Sequence, residues 1–240
     1  MHNAAFRALE MDWTYELLDV EPHELADAVR RLRHPDVGGA NVTIPYKQAV
    51  MDQLDGVDAE AVRARAVNTI TRAGEKLEGS NTDISGIREA IDAAAIEVRG
   101  ARAVVLGAGG AARAAAVALD GAHLTFATRH PETADLPGHV IAWDDPNLAG
   151  LSREAEILVN ATPLGRQDEM PLRPNALPKA GAVIDLVYVS GGTPLARKAR
   201  SLGLRVVDGW EVLLRQGVRS FEKWTGSGAP IEVMRQTLAP

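Results

Sequence analysis

A glycine-rich turn constrains the fold of this 240-residue chain more than any other feature. Residues 103–106 form an apolar run too short for a helix, and Ala111 begins a long alanine-rich run. The segment therefore predicts a strand, a tight turn and a helix. Gly107 and Gly109 give the turn its backbone freedom, and the small Ala112 permits close packing of helix on strand. This Gly-x-Gly-x-x-Ala pattern is typical of a dinucleotide-binding unit.

The predicted helix start explains how such a turn binds phosphate. The first N–H groups of a helix have no partner within it, and the helix dipole adds partial positive charge there. A second predicted strand, residues 123–129, follows about 20 residues later, as the fingerprint requires. A strand-to-helix turn without a ligand is the alternative interpretation.

The end of the second strand predicts which dinucleotide binds. Sites selective for NAD usually place Asp or Glu there for the ribose 2′-hydroxyl, and this strand ends with neither. Thr128 and Arg129 instead offer a hydroxyl and a guanidinium, which suit a 2′-phosphate. We therefore predict NADP as the cofactor. A surface arginine without a ligand is the alternative interpretation of Arg129.

The composition excludes several classes of protein. With 46% hydrophobic and 24% charged residues, the chain has the composition of a globular protein. It has no apolar run of the roughly 18 residues that a spanning helix needs, so no membrane partner is predicted. The absence of cysteine excludes disulfides and thiolate catalysis and fits a cytoplasmic location. A net charge of −6 argues against nucleic acid as a partner, and no residue cluster suggests a metal.

The N-terminal third alternates between predicted helices and strands. Helices are predicted over residues 1–9 and 22–32, with a strand over 14–20 between them. Another strand ends at Ile44, and Lys47 begins the next helix. Two strands joined by a turn at Gly74 come before a helix that ends at Ala94. The alternation predicts an α/β domain with a largely parallel sheet.

The rest of the chain continues the strand-helix pattern. Strands are predicted over residues 156–160, 182–188 and 204–209, with a helix at 194–202 between the last two. Residues 210–224 predict a long amphipathic helix, and residues 229–238 a closing one.

Polar side chains near three predicted strand ends are candidates for chemistry. Lys47, Asn68 and Asp83 occupy such positions, where ligands bind in α/β sheets. Core packing gives no reason to place these groups there. Each has a plainer interpretation when taken alone: Lys47 as a solvated residue at a helix start, and Asp83 or Thr82 as a helix cap.

Eight stretches, in one order along the chain, resemble the shikimate dehydrogenase family. Any one is weak, but together they are specific. They are Met1–Phe6, Asn41–Lys47, Ala66–Thr69, Asn81–Gly86, Gly107–Arg113, Asn160–Gly165, Asp185–Tyr188 and Gly209–Gln216. The resemblance implies an N-terminal α/β substrate-binding and catalytic domain, residues 1–85 with 210–240. It also implies a Rossmann-type doubly wound NADP-binding domain, residues 86–209.

The resemblance also implies a reaction and residue roles. The reaction is the NADP-dependent interconversion of 3-dehydroshikimate and shikimate, on the pathway to aromatic amino acids. Lys47 would be the acid–base residue and Asp83 its partner. Substrate contacts are implied for Thr43, Asn68, Asp83, Tyr188 and Gln216. Cofactor contacts are implied for Gly107, Ala108, Gly109, Gly110, Ala111, Thr128, Arg129, Thr162, Leu186 and Gly209. The resemblance leaves open whether the protein is a monomer or a homodimer.

One departure from the family pattern concerns the N-terminus. In the family, a strand and a Ser-x-Ser-x-Pro segment whose hydroxyls bind the substrate carboxylate precede the stretch that matches Met1–Phe6. This chain begins at Met1, so we expect a fragment of the functional protein. Hydrogen bonds to a charged group contribute about 1.5–3 kcal/mol each, so losing two would weaken substrate binding by about 10²–10⁴-fold. Two alternatives remain: a quinate/shikimate dehydrogenase of broader specificity and a non-catalytic NADP-binding sensor or remnant.

Overall fold

The structure is a computed structural model that describes residues 1–238, which fold into two compact units. One unit comprises Met1–Gly86 and the segment that begins at Leu214, and the other is Ile87–Leu213. Ala239 and Pro240, the end of the predicted segment 210–240, lie outside the described residues. None of the helices within residues 1–238 is both long and apolar enough to cross a membrane.

The described residues form ten strands and nine α-helices. The strands are β1 Gly39–Asn41, β2 Gly56–Val57, β3 Thr69–Ala73, β4 Lys76–Ser80, β5 Arg102–Leu106, β6 His123–Thr128, β7 His139–Ala142, β8 Ile157–Asn160, β9 Ala182–Asp185 and β10 Arg205–Val207. The helices are α1 His2–Ala8, α2 Leu25–Arg31, α3 Ala59–Ala64, α4 Thr82–Ala93, α5 Gly110–Ala118, α6 Leu148–Glu154, α7 Pro194–Ser201, α8 Gly209–Thr225 and α9 Ile231–Gln236.

The sheet of the first unit is mixed. Its order is β1-β3-β4-β2, and only the β2–β4 pair is parallel. The prediction of a largely parallel sheet is therefore wrong for this unit. Two residues, Gly74 and Glu75, join β3 to β4, and so short a connection can only join antiparallel strands. Gly74 has a φ of +65°, which glycine adopts without strain.

The predicted strand over residues 14–20 is wrong. Residues 11–21 form no regular element, and Leu17 is 95% exposed. The Tyr15 N–H donates to Asn3 Oδ1 at 2.6 Å, and the Tyr15 carbonyl accepts from Asn3 Nδ2 at 2.9 Å. The Asn3 side chain thus bonds the backbone groups of Tyr15 that a neighbouring strand would otherwise bond. The helix predicted from Lys47 is also absent, because residues 44–50 form consecutive turns.

Two apolar clusters hold the first unit together. One packs α1, α8 and α9 around Phe6, Phe221 and Met234, with the two phenylalanine rings 5.2 Å apart. The other packs Ile70 and Leu77 of the β3–β4 hairpin against Val29 of α2 and Ala61 of α3. Both clusters fix the elements that carry the polar groups described below.

The second unit contains a six-stranded parallel sheet in the order β10-β9-β8-β5-β6-β7. From β5 the chain adds strands outward to β7, returns, and adds β8 to β10 on the other side. This reversal makes the junction of β5 and β8 a topological switch point, where doubly wound sheets bind ligands. The predicted fold class is therefore confirmed. Strand β7, His139–Ala142, was not predicted from the sequence.

Candidate active site

Lys47, Asp83 and Asn68 form one hydrogen-bonded group in the first unit. Lys47 Nζ lies 2.5 Å from Asp83 Oδ2, and each side chain remains 22% exposed. Asn68 Nδ2 donates to Asp83 Oδ1 at 2.9 Å. Both oxygens of the carboxylate therefore have a donor, and the lysine is still open to solvent. The plain interpretation of Lys47 as a residue at a helix start does not apply.

Backbone bonds place the lysine and the aspartate. The Val67 N–H donates to the Lys47 carbonyl at 2.7 Å, which ties the turn of residues 44–50 to the segment before β3. Asn81 Oδ1 accepts the Asp83 N–H at 3.1 Å, and Asn81 Nδ2 donates to the Ala66 carbonyl at 2.8 Å. Asn81 is thus the side chain that caps α4, and neither Thr82 nor Asp83 does so. The Asp83 carboxylate remains available to Lys47.

The substrate residues predicted near this group differ in their surroundings. Gln216 is 9% exposed, and its Oε1 accepts from Thr82 Oγ1 at 3.4 Å, so it reaches the same polar network. Asn68 Oδ1 accepts the Thr82 N–H at 2.7 Å, which fixes the orientation of the amide. Thr43 is exposed, and its hydroxyl donates to the neighbouring carbonyl of Ile44 at 3.4 Å.

The structure adds three hydroxyl residues that the sequence interpretation did not assign: Thr69, Thr82 and Ser220. All three are fully buried and bond to one another within 3.0 Å. The available signal for Ser220 was its position four residues after Gln216, which puts both on one face of a helix. Such spacing alone does not distinguish a polar contact from a solvated residue.

The glycine turn of the second unit has the features of a phosphate cradle. Gly107 has a φ of +109°, and a Cβ there would lie 3.0 Å from the Ala161 carbonyl oxygen. Gly109 precedes α5 without a side-chain cap, and a Cβ at Gly109 would meet no heavy atom within 4 Å. No side chain therefore caps the first N–H groups of α5, those of Gly110 and Ala111. The space beside Gly109, just before these groups, is open. This arrangement fits the pyrophosphate of a dinucleotide.

The other predicted cofactor residues follow strand ends of the same sheet. Thr128 is buried at the end of β6, and Arg129 directly after it is exposed. Within residues 1–238, no hydrogen bond or ion pair occupies the Arg129 guanidinium. Thr162 follows β8, and its hydroxyl donates to Asn160 Oδ1 at 2.6 Å and accepts from the Leu164 N–H at 3.2 Å. The Thr162 hydroxyl therefore already uses its one proton and one of its lone pairs in hydrogen bonds within the protein.

Leu186, Tyr188 and Gly209 lie at the carboxyl ends of β9 and β10. A Cβ at Gly209 would lie 2.6 Å from the carbonyl carbon and oxygen of Val187, so the start of α8 needs a glycine there. Tyr188 is 44% exposed, and its ring centroid lies 5.2 Å from that of Trp210. Beside them, burial raises the pKa of the Asp185 carboxyl, which accepts from Asn160 and Thr193.

Among residues 1–238, no group of three or more His, Asp or Glu side chains is placed to hold a metal ion.

Comparison with known proteins identifies the family. Residues 1–70 match the shikimate dehydrogenase substrate binding domain, and residues 209–239 match the shikimate 5′-dehydrogenase C-terminal domain. Shikimate dehydrogenase (NADP(+)) of Moorella thermoacetica is 41% identical over 255 aligned residues, which cover 99% of this chain and 86% of the relative. The chain belongs to the shikimate dehydrogenase family. The relative from Desulforamulus reducens is 38% identical, with 99% and 88% coverage.

A solved family member agrees with this assignment. Shikimate 5-dehydrogenase of Thermus thermophilus, crystallised in complex with NADP(H) and shikimate, is 35% identical to this chain with a TM-score of 0.88. The match covers 99% of this chain and 91% of that one. The predicted resemblance to the shikimate dehydrogenase family is confirmed, while the role of each residue stays a prediction.

Proposed function

We propose that Lys47 and Asp83 carry out the acid–base chemistry of a shikimate dehydrogenase in this chain. The chain is an NADP-dependent oxidoreductase of that family, which acts on the shikimate and 3-dehydroshikimate pair. The observation that carries the residue assignment is the bonded group itself, in which one carboxylate accepts from both Lys47 and Asn68.

The reaction requires a hydride to move at one carbon of the substrate and a proton to move at the oxygen bonded to that carbon. Bound NADP would supply the hydride acceptor, its nicotinamide, for the oxidation of the secondary alcohol to a ketone. Lys47 takes the hydroxyl proton as a neutral amine in oxidation, and as an ammonium group it returns the proton to the carbonyl oxygen in reduction. Asp83 holds the ammonium group in place through the 2.5 Å contact, and stabilises its positive charge.

Other polar groups would bind and orient the ring hydroxyls of the substrate. Asn68 and Gln216 lie in the network around Asp83, and both offer amide groups to a polyhydroxylated ring. Thr43 and Tyr188 are proposed as further contacts, supported by their exposed side chains.

The second unit would bind the cofactor. We assign the pyrophosphate to the turn from Gly107 to Ala111, and the 2′-phosphate to Thr128 and Arg129. An exposed guanidinium with no protein partner among the described residues supports this assignment. Thr162, Leu186 and Gly209 would line the remainder of the dinucleotide site. The cytoplasmic location and the choice between monomer and homodimer stay predictions.

The proposal is tested by activity assays with the four combinations of two alcohols and two cofactors. The chain is supplied with shikimate or quinate, each with NADP or NAD, and formation of the reduced cofactor is followed by absorbance. Shikimate is titrated over a wide range of concentrations, so that kcat and KM are determined separately. We expect turnover with shikimate and NADP to exceed that of the other three pairs. Equal turnover of quinate would favour the broader quinate/shikimate enzyme.

A binding measurement separates an enzyme from a sensor. NADP binding is measured by calorimetry on the parent chain and on Lys47→Ala. An enzyme retains NADP affinity in the variant and loses turnover, whereas a sensor binds NADP in both and turns over in neither. NADP binding without turnover of any alcohol would contradict the proposed activity.

A further inference from the structure

Three buried hydroxyls connect Asn68 with helix α8. Ser220 Oγ lies 2.9 Å from Thr69 Oγ1 and 3.0 Å from Thr82 Oγ1. Those two threonine oxygens lie 3.0 and 3.2 Å from Asn68 Oδ1. The path from Ser220 to the amide that donates to Asp83 therefore has two hydrogen-bond steps, all within one unit and hidden from solvent.

The chemistry of its neighbours fixes the direction of the bonds at Ser220. The Gln216 carbonyl oxygen, 3.0 Å away, can only accept, so the single hydroxyl proton of Ser220 goes to it. Asn41 Nδ2, also 3.0 Å away, can only donate. The Ser220 oxygen therefore accepts from Asn41 and has a lone pair left for a threonine hydroxyl. Ser220 is therefore an acceptor toward one of the two threonines, Thr69 or Thr82.

We infer that Ser220 is a positioning residue for the lysine–aspartate group and acts through Asn68. By accepting from Thr82, it leaves the Thr82 oxygen free to accept from Asn68 Nδ2, 3.1 Å away, while the Thr69 hydroxyl donates to Asn68 Oδ1 at 3.0 Å. The amide nitrogen of Asn68 is thereby held toward Asp83, at the observed 2.9 Å. The Asp83 carboxylate in turn orients Lys47. This inference rests on the proposed role of Lys47 and Asp83.

The competing explanation is that Ser220 only stabilises the fold. Another hydroxyl residue of α8 serves as a comparison. Ser and Thr in helices often bond the carbonyl four residues earlier. Thr225, on the same helix, does so with the Phe221 carbonyl at 2.9 Å, and its other bonds are to Ser227. Ser220 has the same back-bond and, in addition, the contacts with Asn41, Thr69 and Thr82.

Ser220→Ala tests the inference with little change in volume. The substitution removes the oxygen that accepts hydrogen bonds from the buried groups around Ser220. We expect kcat for shikimate oxidation to fall roughly 3- to 10-fold. The dissociation constant for NADP should not change. Thr225→Ala removes the matched back-bond and should leave kcat as in the parent chain, with thermal unfolding recorded for both variants.

A double-mutant cycle shows whether Ser220 acts through Asn68. If it does, Ser220→Ala should lower kcat by less than about 2-fold when Asn68 is already alanine. The inference is overturned if Ser220→Ala has the same kcat as Thr225→Ala, or if its full effect persists in the Asn68→Ala background. An active parent chain with a silent Ser220→Ala contradicts this inference alone. A parent chain without turnover contradicts the proposed function, and the inference with it.

Discussion

Acid should destabilise the first unit through His2. This side chain is 4% exposed, with its ring centroid 4.6 Å from Tyr15 and 5.1 Å from Trp224. Its Nδ1 is buried without a hydrogen-bond partner in the structure. Burial disfavours the charged imidazolium and lowers the pKa of His2 from 6.5 to about 4. The neighbouring Tyr15 does not titrate in this range, because burial raises its pKa further.

The sign and size of the effect follow from this difference in pKa. Between pH 6.5 and about 4, the unfolded chain binds a proton at His2 and the folded chain does not. The free energy of unfolding therefore falls as pH falls through this window. At about 1.36 kcal/mol for each pH unit, the full loss is about 3 kcal/mol, of which about 2 kcal/mol is lost by about pH 5.

The assay compares three proteins by urea unfolding at about pH 7.5 and about pH 5. His2→Phe fills a similar volume and does not titrate, and His23→Phe replaces an exposed histidine as the matched control. From the higher to the lower pH, the parent chain and His23→Phe should lose about 2 kcal/mol more than His2→Phe. The same loss in all three proteins would refute the reasoning.

Three substitutions test other parts of the account. Asn68→Ala removes a hydrogen bond to a carboxylate and should lower kcat/KM for shikimate about 10- to 100-fold in steady-state assays, with KM for NADP unchanged. Arg129→Ala should raise KM for NADP by about 10-fold or more and leave KM for NAD nearly unchanged; equal effects on both would contradict the 2′-phosphate assignment. Gly209→Ala places a Cβ 2.6 Å from the Val187 carbonyl and should lower the free energy of unfolding by about 1–3 kcal/mol. The control for it is Gly228→Ala, where a Cβ meets nothing within 4 Å, and equal unfolding temperatures of the two would count against the packing argument.

Local signals account for what the sequence predicted correctly. The strand-turn-helix around Gly107 and Gly109 is encoded within a dozen residues, so periodicity and glycine placement sufficed. The pairing of Lys47 with Asp83 was proposed from the resemblance and the positions of both at element ends. The structure brings them within 2.5 Å.

Contacts between distant residues account for what the sequence did not predict. The segment at residues 14–20 has the composition of a strand, yet the Asn3 side chain bonds Tyr15 where a strand would pair. The mixed sheet depends on which strands pair, which alternation of elements does not specify. From the sequence alone, Ser220 has the pattern of a solvated helix residue. Its contacts are with Thr69 and Thr82, which lie about 140–150 residues earlier in the chain.

The most direct test of the central claim, that Lys47 moves the proton, is the turnover of Lys47→Ala. Formation of NADPH from shikimate and NADP is measured for the parent chain and the variant, with NADP affinity determined in parallel. The account predicts that kcat falls by about 10²–10⁴-fold while the dissociation constant for NADP is unchanged. Turnover equal to that of the parent chain would contradict the claim and assign the proton to another group.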